Sequence, residues 1–489
     1  MRIHVQLGFL LRDSVVYGLA GALNRMVKLV LVPIVAKTQT TEVYGVFDSL
    51  NVYVYVAAIL AILGLNSAVV IVATADGSVP SAESLRPAAS RCFRIVLGVG
   101  IGLALLICLG ASFWSSWLLG SARFTSVVRW AGASVPFSAV LLYSLGMLQW
   151  TYRKFWYVTV ALLTASTTIA LTYAAARLGH GLTGFFVAHL VGQAVGAFLG
   201  LYAARQVIRP TRVSTDLRRL LTVGLPFGVI GVAATLVPSI DRLFLVRFHS
   251  LTEAGIYGLG QKIASLSVLM LAGFQAAWAP FAFARRSDPQ KERLFGTILL
   301  VVASAVALLA VLLAIAAPTI ARIAATDEFV ASTTYVGPLA LSVGLTVIFA
   351  VVSIGSVMEG RSLHNLTAYV LGLAITLAAN LVLAAVSAPA IGIAWANCLG
   401  QLSAVAVMAV LAHKAHPIAY PYAKVGIVLI GGVAAVAMIG THVLQMSPLG
   451  RVLAALGAVV VAIAWCWLSA LSAGERALIL RRLCPWPAK

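Results

Sequence analysis

The chain has 489 residues, 61% of them apolar and only 10% charged, with a formal net charge of +20. Soluble domains carry about 25% charged residues; here the apolar residues run in blocks, and about 20 in a row cross a bilayer as a helix. Lipid admits only helices or closed barrels, and the strict alternation of a barrel strand occurs nowhere, so the sequence predicts an all-α polytopic membrane protein and excludes a soluble enzyme.

Fourteen spans are predicted, at 11–36, 44–74, 92–120, 126–148, 155–178, 182–207, 219–248, 254–283, 294–323, 330–356, 364–388, 390–412, 422–444 and 449–471. Span 1 follows a charged start, Arg2 and Arg12. Its apolar run is too long for a cleavable signal and has no small-residue cleavage site behind it, so it is expected to stay as a helix. It carries Ser14, Tyr17, Gly21, Asn24 and Lys28 three or four residues apart, with Arg25 adjacent. That spacing makes one polar face. Span 2 has the same kind of stripe in Tyr44, Asp48, Asn51 and Tyr55. In span 3, Gly98-Val-Gly100-Ile-Gly102 follows no strand and reads as small residues for helix packing. Span 7 carries Gly224, Gly228, Gly231, Thr235 and Arg242 on one face, with Ser239 and Asp241 close by. Span 8 carries Tyr257, Gln261 and Ser265, with Lys262 beside them. The amides Asn51, Gln149, Gln193, Gln275, Asn380 and Gln401 suit either sugar hydroxyls or bonds between helices. Pro33, Pro136, Pro226, Pro238, Pro280 and Pro338 mark hinges or static kinks.

The positive charge follows from topology. With the N-terminus and every second loop in the cytoplasm, 23 of the 34 Lys and Arg fall on that side, 7 on the other and 4 inside spans. This is the positive-inside pattern; it predicts an even number of spans with both termini cytoplasmic, and it accounts for the charge without a nucleic-acid partner. The five cysteines, Cys92, Cys108, Cys398, Cys466 and Cys484, form no CxxC pair and read as small packing residues.

Gly184-Phe-Phe-Val-Ala-His189-Leu-Val-Gly192-Gln193 matches Gly392-Ile-Ala-Trp-Ala-Asn397-Cys-Leu-Gly400-Gln401 at an offset of 208, and Arg153 matches Arg361 at the same offset. Thr41-Glu42-Val-Tyr44-Gly45 opens span 2, and Thr252-Glu253-Ala-Gly-Ile-Tyr257-Gly258 opens span 8 with a two-residue insertion. Spans 7–12 therefore read as a copy of spans 1–6 in the same orientation, related by an axis along the membrane normal. The expected units are residues 1–207, residues 208–413, and a pair of helices with a tail at 414–489, with the basic segment 205–219 joining the first two. Stripes on spans 1, 2, 7 and 8 predict a central cavity between the copies. Its cations are Arg25, Lys28, Arg242 and Lys262, groups that bind phosphates through charge-assisted hydrogen bonds. Tyr17, Asn24, Asn51 and Gln261 are expected to line it. Asp48 and Asp241 lie toward the non-cytoplasmic ends with Lys28 and Arg242, where ion pairs would close an outer gate or the carboxylates would serve coupling. Charge inside a span is costly, about 2.5–3.5 kcal/mol on insertion scales, which is why these residues are singled out.

The sequence holds no Walker A motif and no nucleophilic triad or paired-carboxylate arrangement, so no enzyme activity or cofactor is expected. His413-Lys-Ala-His416 offers two metal ligands and no third.

The segments Val237-Pro-Ser-Ile-Asp241-Arg242-Leu-Phe-Leu and Glu253-Ala-Gly-Ile-Tyr257-Gly258-Leu-Gly-Gln-Lys262, with Glu42-Val-Tyr44-Gly45 and Leu63-Gly64-Leu65-Asn-Ser-Ala68, resemble bacterial polysaccharide flippases, the Wzx-type members of the multidrug/oligosaccharidyl-lipid/polysaccharide exporter superfamily. The resemblance implies two six-helix lobes around a cationic cavity in the bacterial inner membrane. It implies alternating access that moves an undecaprenyl-pyrophosphate-linked oligosaccharide, for O-antigen or exopolysaccharide synthesis, to the outer leaflet, with membrane lipids and a glycan polymerase as partners. It implies pyrophosphate contacts at Arg25, Lys28, Arg242 and Lys262. Related drug exporters often carry an acidic cation site in the first helix; here only Asp13 is acidic, so the coupling ion, proton or sodium, is left open. The alternatives are a peptidoglycan-precursor flippase, a drug or cation exporter, whose cavity should be acidic, and a membrane glycan polymerase or ligase, which needs a long outer loop.

Overall fold

The computed structural model describes residues 29–75, 80–211, 215–237, 239–285 and 291–470. The described residues form helices, turns and loops with no strand, and 13 helical stretches are long and apolar enough to cross a membrane. These coincide with predicted spans 2–14; of span 1 only 29–36, helix α1, is described. The all-α polytopic class follows. Large apolar side chains face outward where lipid would solvate them, as with Leu449, Val460 and Val461 on the last helix.

Several spans are broken. Span 2 is α2 (Thr41–Ile62) followed by α3 (Leu65–Ala73). The Thr40 hydroxyl accepts from the Val43 N–H and caps the start of α2. The break is a left-handed pair, Leu63 at φ 51° and Gly64 at φ 70°. The next four spans are α4 (Ala82–Leu109) with α5 (Ala111–Leu119), α6 (Thr125–Trp150), α7 (Lys154–Arg177) and α8 (Gly181–Ile208). Span 7 is α9 (Leu217–Leu236) and, after a break, α10 (Asp241–Phe248). Span 8 is α11 (Leu251–Ala264) and α12 (Leu266–Ala284), jointed at Ser265. Then follow α13 (Lys291–Ala324), α14 (Thr333–Val352), the short α15 (Ile354–Met358), α16 (Ser362–Ala385), α17 (Ile391–Ala415), α18 (Tyr422–His442) and α19 (Pro448–Ala470). Each broken span frees backbone groups and lets one half of the helix turn a different face to its neighbours.

Local geometry recurs at the 208-residue offset. Tyr152 and Gly360 both have positive φ. The next residues, Arg153 and Arg361, donate their N–H groups to Leu148 O and Ser356 O, each at 2.9 Å. His180 donates to Ala175 O at 3.0 Å and Ala388 to Leu383 O at 2.9 Å. A Cβ on Gly192 would overlap the Thr168 hydroxyl, and one on Gly400 would overlap that of Thr376. The helix pairs α7–α8 and α16–α17 are thus joined by the same turn and pressed together by the same Gly–Thr contact. On the basic linker, Arg86 of α4 donates to Arg209 O and Pro210 O, and Arg91 to Thr215 O at 2.7 Å. One buried apolar cluster is built mainly from α11–α18 and two others from α2–α9.

Candidate functional site

Two glycine crossings join the helices of the first half to those of the second. At the first, α2 lies on α11. A Cβ on Gly45 would overlap Leu251 O, and one on Gly255 would overlap Thr41 O, so the two backbones touch directly. At the second, the α2–α3 break lies on α9. A Cβ on Gly64 would overlap Gly224 O and Gly228 N, and one on Gly228 would stand 2.7 Å from the Leu63 carbonyl carbon. Gly64 is therefore required both by its φ and by its neighbour.

One turn inward from the first crossing lies a buried charge network. Asp48 on α2 is 2% exposed and Arg242 on α10 is 1% exposed. Arg242 donates to Asp48 Oδ2 from Nη2 at 2.9 Å and from Nε at 3.2 Å. Lys262 Nζ on α11 takes the other oxygen, Oδ1, at 2.8 Å. Arg242 Nη2 also donates to Gln261 Oε1, and its guanidinium carbon lies 5.8 Å from the centre of the Tyr257 ring. Glycine at 258 makes room, since a Cβ there would stand 2.8 Å from Asp48 Oδ2. A carboxylate from the first half thus holds two cations from the second. Lys262 differs from Arg242 in being 34% exposed.

Asp241, next to Arg242, serves a different network. Its Oδ2 accepts from the Tyr257 hydroxyl and from Asn397 Nδ2 at 2.7 Å. Ser342 donates to Asn397 Oδ1, and Asn380 stands near the same carboxylate. Oδ1 of Asp241, fully buried, accepts no hydrogen bond from the described residues.

A chamber of about 550 Å³ lies beside the charge network. Asn51 and Tyr55 of α2, Ser138 of α6, Thr164 and Thr168 of α7, and His189 and Gln193 of α8 form its first-half wall. Thr235, Ser239 and Lys262 close it from the second half. The glycines of α8 explain the wall. A Cβ on Gly192 or Gly196 would overlap the Thr168 or Thr164 hydroxyl, so α8 lies close on α7 while His189 and Gln193, on an adjoining face, reach the chamber. Among the described lining residues the charged ones are Asp48 and Lys262. A smaller apolar cavity of about 270 Å³ lies beside the second crossing, between α2, α9 and α16.

Of the residues singled out from sequence, Asn51 and Lys262 line the chamber and Asp48 borders it. Arg242 and Gln261 do not; both are spent on the charge network. Asp48 pairs with Arg242, whereas Asp241 belongs to the Tyr257–Asn397 network. Tyr17, Asn24, Arg25 and Lys28 lie outside the described residues. Among the amides, Gln193 joins Asn51 on the chamber wall, whereas Asn380 and Gln401 are buried between helices. Ser138, Thr164, Thr168, Tyr257 and Asn397 were not singled out for these roles. Thr164 and Thr168 carried a signal, since their spacing of four matches that of Gly192 and Gly196 opposite. His416 is held by Glu359 at 3.1 Å and Lys291 at 3.3 Å, and no metal-binding group of three or more such side chains occurs among the described residues. Of the three glycines read as helix-packing residues in span 3, Gly100 packs against Pro136, whereas Gly98 and Gly102 are exposed and a Cβ on either would meet nothing within 4 Å.

A family model described as "Polysaccharide biosynthesis protein" matches residues 10–285. No curated protein matches the sequence significantly. Among solved structures, the chain is similar to the lipid II flippase MurJ in an inward closed conformation, at 12% identity and a TM-score of 0.71, over 95% of this chain and 98% of that one. It is also similar to a MATE transporter from Vibrio cholerae, at 18% identity and a TM-score of 0.60, over 85% of this chain and 98% of that one. An inward-facing MATE-family transporter of the MOP superfamily aligns at 15% identity with a TM-score of 0.58, over 83% and 95% of the two chains. At these identities the likeness concerns the fold.

Proposed function

Because this chain belongs to the polysaccharide biosynthesis protein family, we propose that it is a flippase carrying a polyprenyl-diphosphate-linked oligosaccharide from the cytoplasmic to the outer leaflet of a bacterial inner membrane. The observation that carries the reading is the Asp48–Arg242–Lys262 network, which ties the first half to the second at the edge of a chamber. On this reading residues 1–207 and 208–413 are two lobes that rock about the chamber, and both termini are cytoplasmic. The charge network and the α2–α11 crossing are the outer gate, closed here. Lys262, which reaches the chamber, holds the diphosphate together with Arg25 and Lys28. Arg242 acts in the gate. Asp241, buried with one oxygen accepting no hydrogen bond from the described residues, is the coupling residue, for a proton or a sodium ion.

A cation exporter is disfavoured because both oxygens of Asp48, the one carboxylate among the described lining residues, are already engaged by cations. The experiment is a deletion strain in which the lipid-linked glycan is located by leaflet. The glycolipid should accumulate in the cytoplasmic leaflet, with transfer restored by wild type and not by Lys262→Ala. Reconstitution removes redundancy: purified protein in proteoliposomes should move a fluorescent polyprenyl-diphosphate glycan between leaflets. Absence of transfer there, with normal surface polymer in the deletion strain, would refute the proposal.

A further inference from the structure

Beside the second crossing the two halves leave a cleft of about 270 Å³, separate from the charge network. Leu60 and Leu63, at the α2–α3 break, form its first-half wall; Val229 and Val232 of α9 and Val370 and Leu373 of α16 face them from the second half. Every residue lining it is leucine, valine, alanine or glycine. Leu60, Val229 and Val370 are exposed and none of them lines the chamber, so the cleft opens toward lipid. Water settles in a cavity only where it finds polar partners, and no polar side chain borders this one. Left empty, the walls forfeit the dispersion contacts that hold helices together in lipid.

Depth identifies the leaflet. α9 has Arg218 and Arg219 in its first turn and α16 starts directly after Arg361, all three exposed on the arginine-rich side. At about 1.5 Å per residue, Val229 and Val232 lie about 15 and 20 Å beyond Arg219, and Val370 and Leu373 about 14 and 18 Å beyond Arg361. The hydrocarbon core is about 30 Å thick, so the cleft reaches the bilayer midplane from the leaflet on that side. An acyl chain lying in it has its phosphate at the level of the arginines. α9 divides the cleft from the chamber: Ala234 and Thr235 face the chamber, whereas Val232, Ala233 and Leu236 face the cleft. Gly64 touches the α9 backbone at Gly224 and Gly228 and closes the passage beside them. A lipid with its headgroup in the chamber cannot lay its tail here without parting that contact, which leaves a resident membrane lipid as the occupant.

We infer that the cleft is a binding site for one acyl chain of a membrane phospholipid whose phosphate is held by Arg218, Arg219 and Arg361. The inference needs only the membrane-spanning fold and goes beyond the flippase reading. Lipid tails are as apolar as the walls, so no hydrophobic gain drives binding. What drives it is the filling of the cleft and the arginines, each worth roughly fivefold toward an anionic headgroup. Because the walls belong to both halves, the seated chain bridges the seam between them.

The test is photo-crosslinking of the purified full chain in nanodiscs by phosphatidylglycerol with a diazirine near the middle of one chain, adducts being mapped by peptide mass spectrometry. Adducts on Val229 and Val370 should exceed those on Val460 and Val461 of α19 by about fivefold or more, although Val229 and Val370 are the less exposed pair, at 51% and 43% against 64% and 68%. Val232→Phe, which fills the cleft, should bring that ratio below one, and Val452→Phe on α19 should leave it unchanged. Arg219→Gln and Arg361→Gln should each lower the preference for phosphatidylglycerol over a phosphatidylcholine probe by about fivefold. A polyprenyl diphosphate carrying the same diazirine should label the cleft no more than α19. Labelling that follows exposure alone, a ratio unmoved by Val232→Phe, or preferential labelling by the polyprenyl probe overturns the site. An unchanged headgroup preference overturns the part given to the arginines. The ratio is taken within one chain, so loss of folded protein cancels, and transport in proteoliposomes reads the flippase proposal separately.

Discussion

Replacing Asp48 with Asn should open the gate toward the side opposite the arginine-rich loops. The substitution leaves Arg242, 1% exposed, without its carboxylate partner. Breaking a buried pair by removing one member costs about 3–5 kcal/mol, because a desolvated charge is left behind. Here the lower end applies: Gln261 still accepts from the guanidinium, and Lys262, 34% exposed, can turn to water. The cost falls on the closed state, since opening hydrates Arg242. About 3 kcal/mol then shifts the closed-to-open ratio by at least about a hundredfold. The assay is labelling of a single cysteine, Thr235→Cys on the chamber wall, by a membrane-impermeant maleimide in a chain lacking its five native cysteines. Labelling should be slow with Asp48 and fast with Asn. Removing both members, Asp48→Asn with Arg242→Leu, should return the slow rate, because a pair removed whole is nearly neutral. Equal labelling with and without Asp48, or a double variant as fast as the single one, would refute the reasoning.

Other outcomes follow from the same contacts. Gly64→Ala should lower the thermal midpoint and abolish transport, because the new Cβ meets α9 backbone and the left-handed φ alone costs about 1–2 kcal/mol; Gly98→Ala, where a Cβ meets nothing within 4 Å, should behave as wild type in the same melts. Gly45→Val should label at Thr235→Cys as fast as Asp48→Asn, since the α2–α11 crossing cannot then close; a slow rate would show that the crossing is not needed for the seal. Asp241→Asn should make glycolipid transfer in proteoliposomes indifferent to imposed proton and sodium gradients, and a retained gradient dependence would remove Asp241 from coupling.

The spans were legible because length and hydropathy alone determine whether a segment can cross lipid, and 2–14 reappear, most of them within a few residues at each end, although the third begins earlier, at Ala82, and the seventh breaks after Leu236. The breaks inside them were not. Gly64 is one glycine in an apolar run, and only the backbone of α9 against it reveals why it is there. Polar stripes marked α2, α9 and α11, which border the chamber, but not α6, α7 and α8, which form most of its first-half wall, and they did not give the partners. Asn51 and Gln261 had equal standing in sequence, yet α11 turns Gln261 onto Arg242, while α2 carries Asn51 along the chamber. Asp48 and Arg242 are 194 residues apart, and no local pattern joins them. The sequence match of Gly192 to Gly400 was visible, whereas the contacts these glycines make, onto Thr168 and Thr376, show only once the helices are packed.

The two crossings bear on how fast such a carrier can cycle. Where Gly45 meets Leu251 and Gly64 meets Gly224, the touching surfaces are main chain. Main chain held in a helix has no rotamers to lose on contact and none to regain on separation. If the proposed rocking parts them, separation and return at these points is a movement of whole rods, with no search among side-chain arrangements to retard the return. Interdigitated leucines would have to be re-sorted at every turnover; paired glycines come back into register wherever the rods meet.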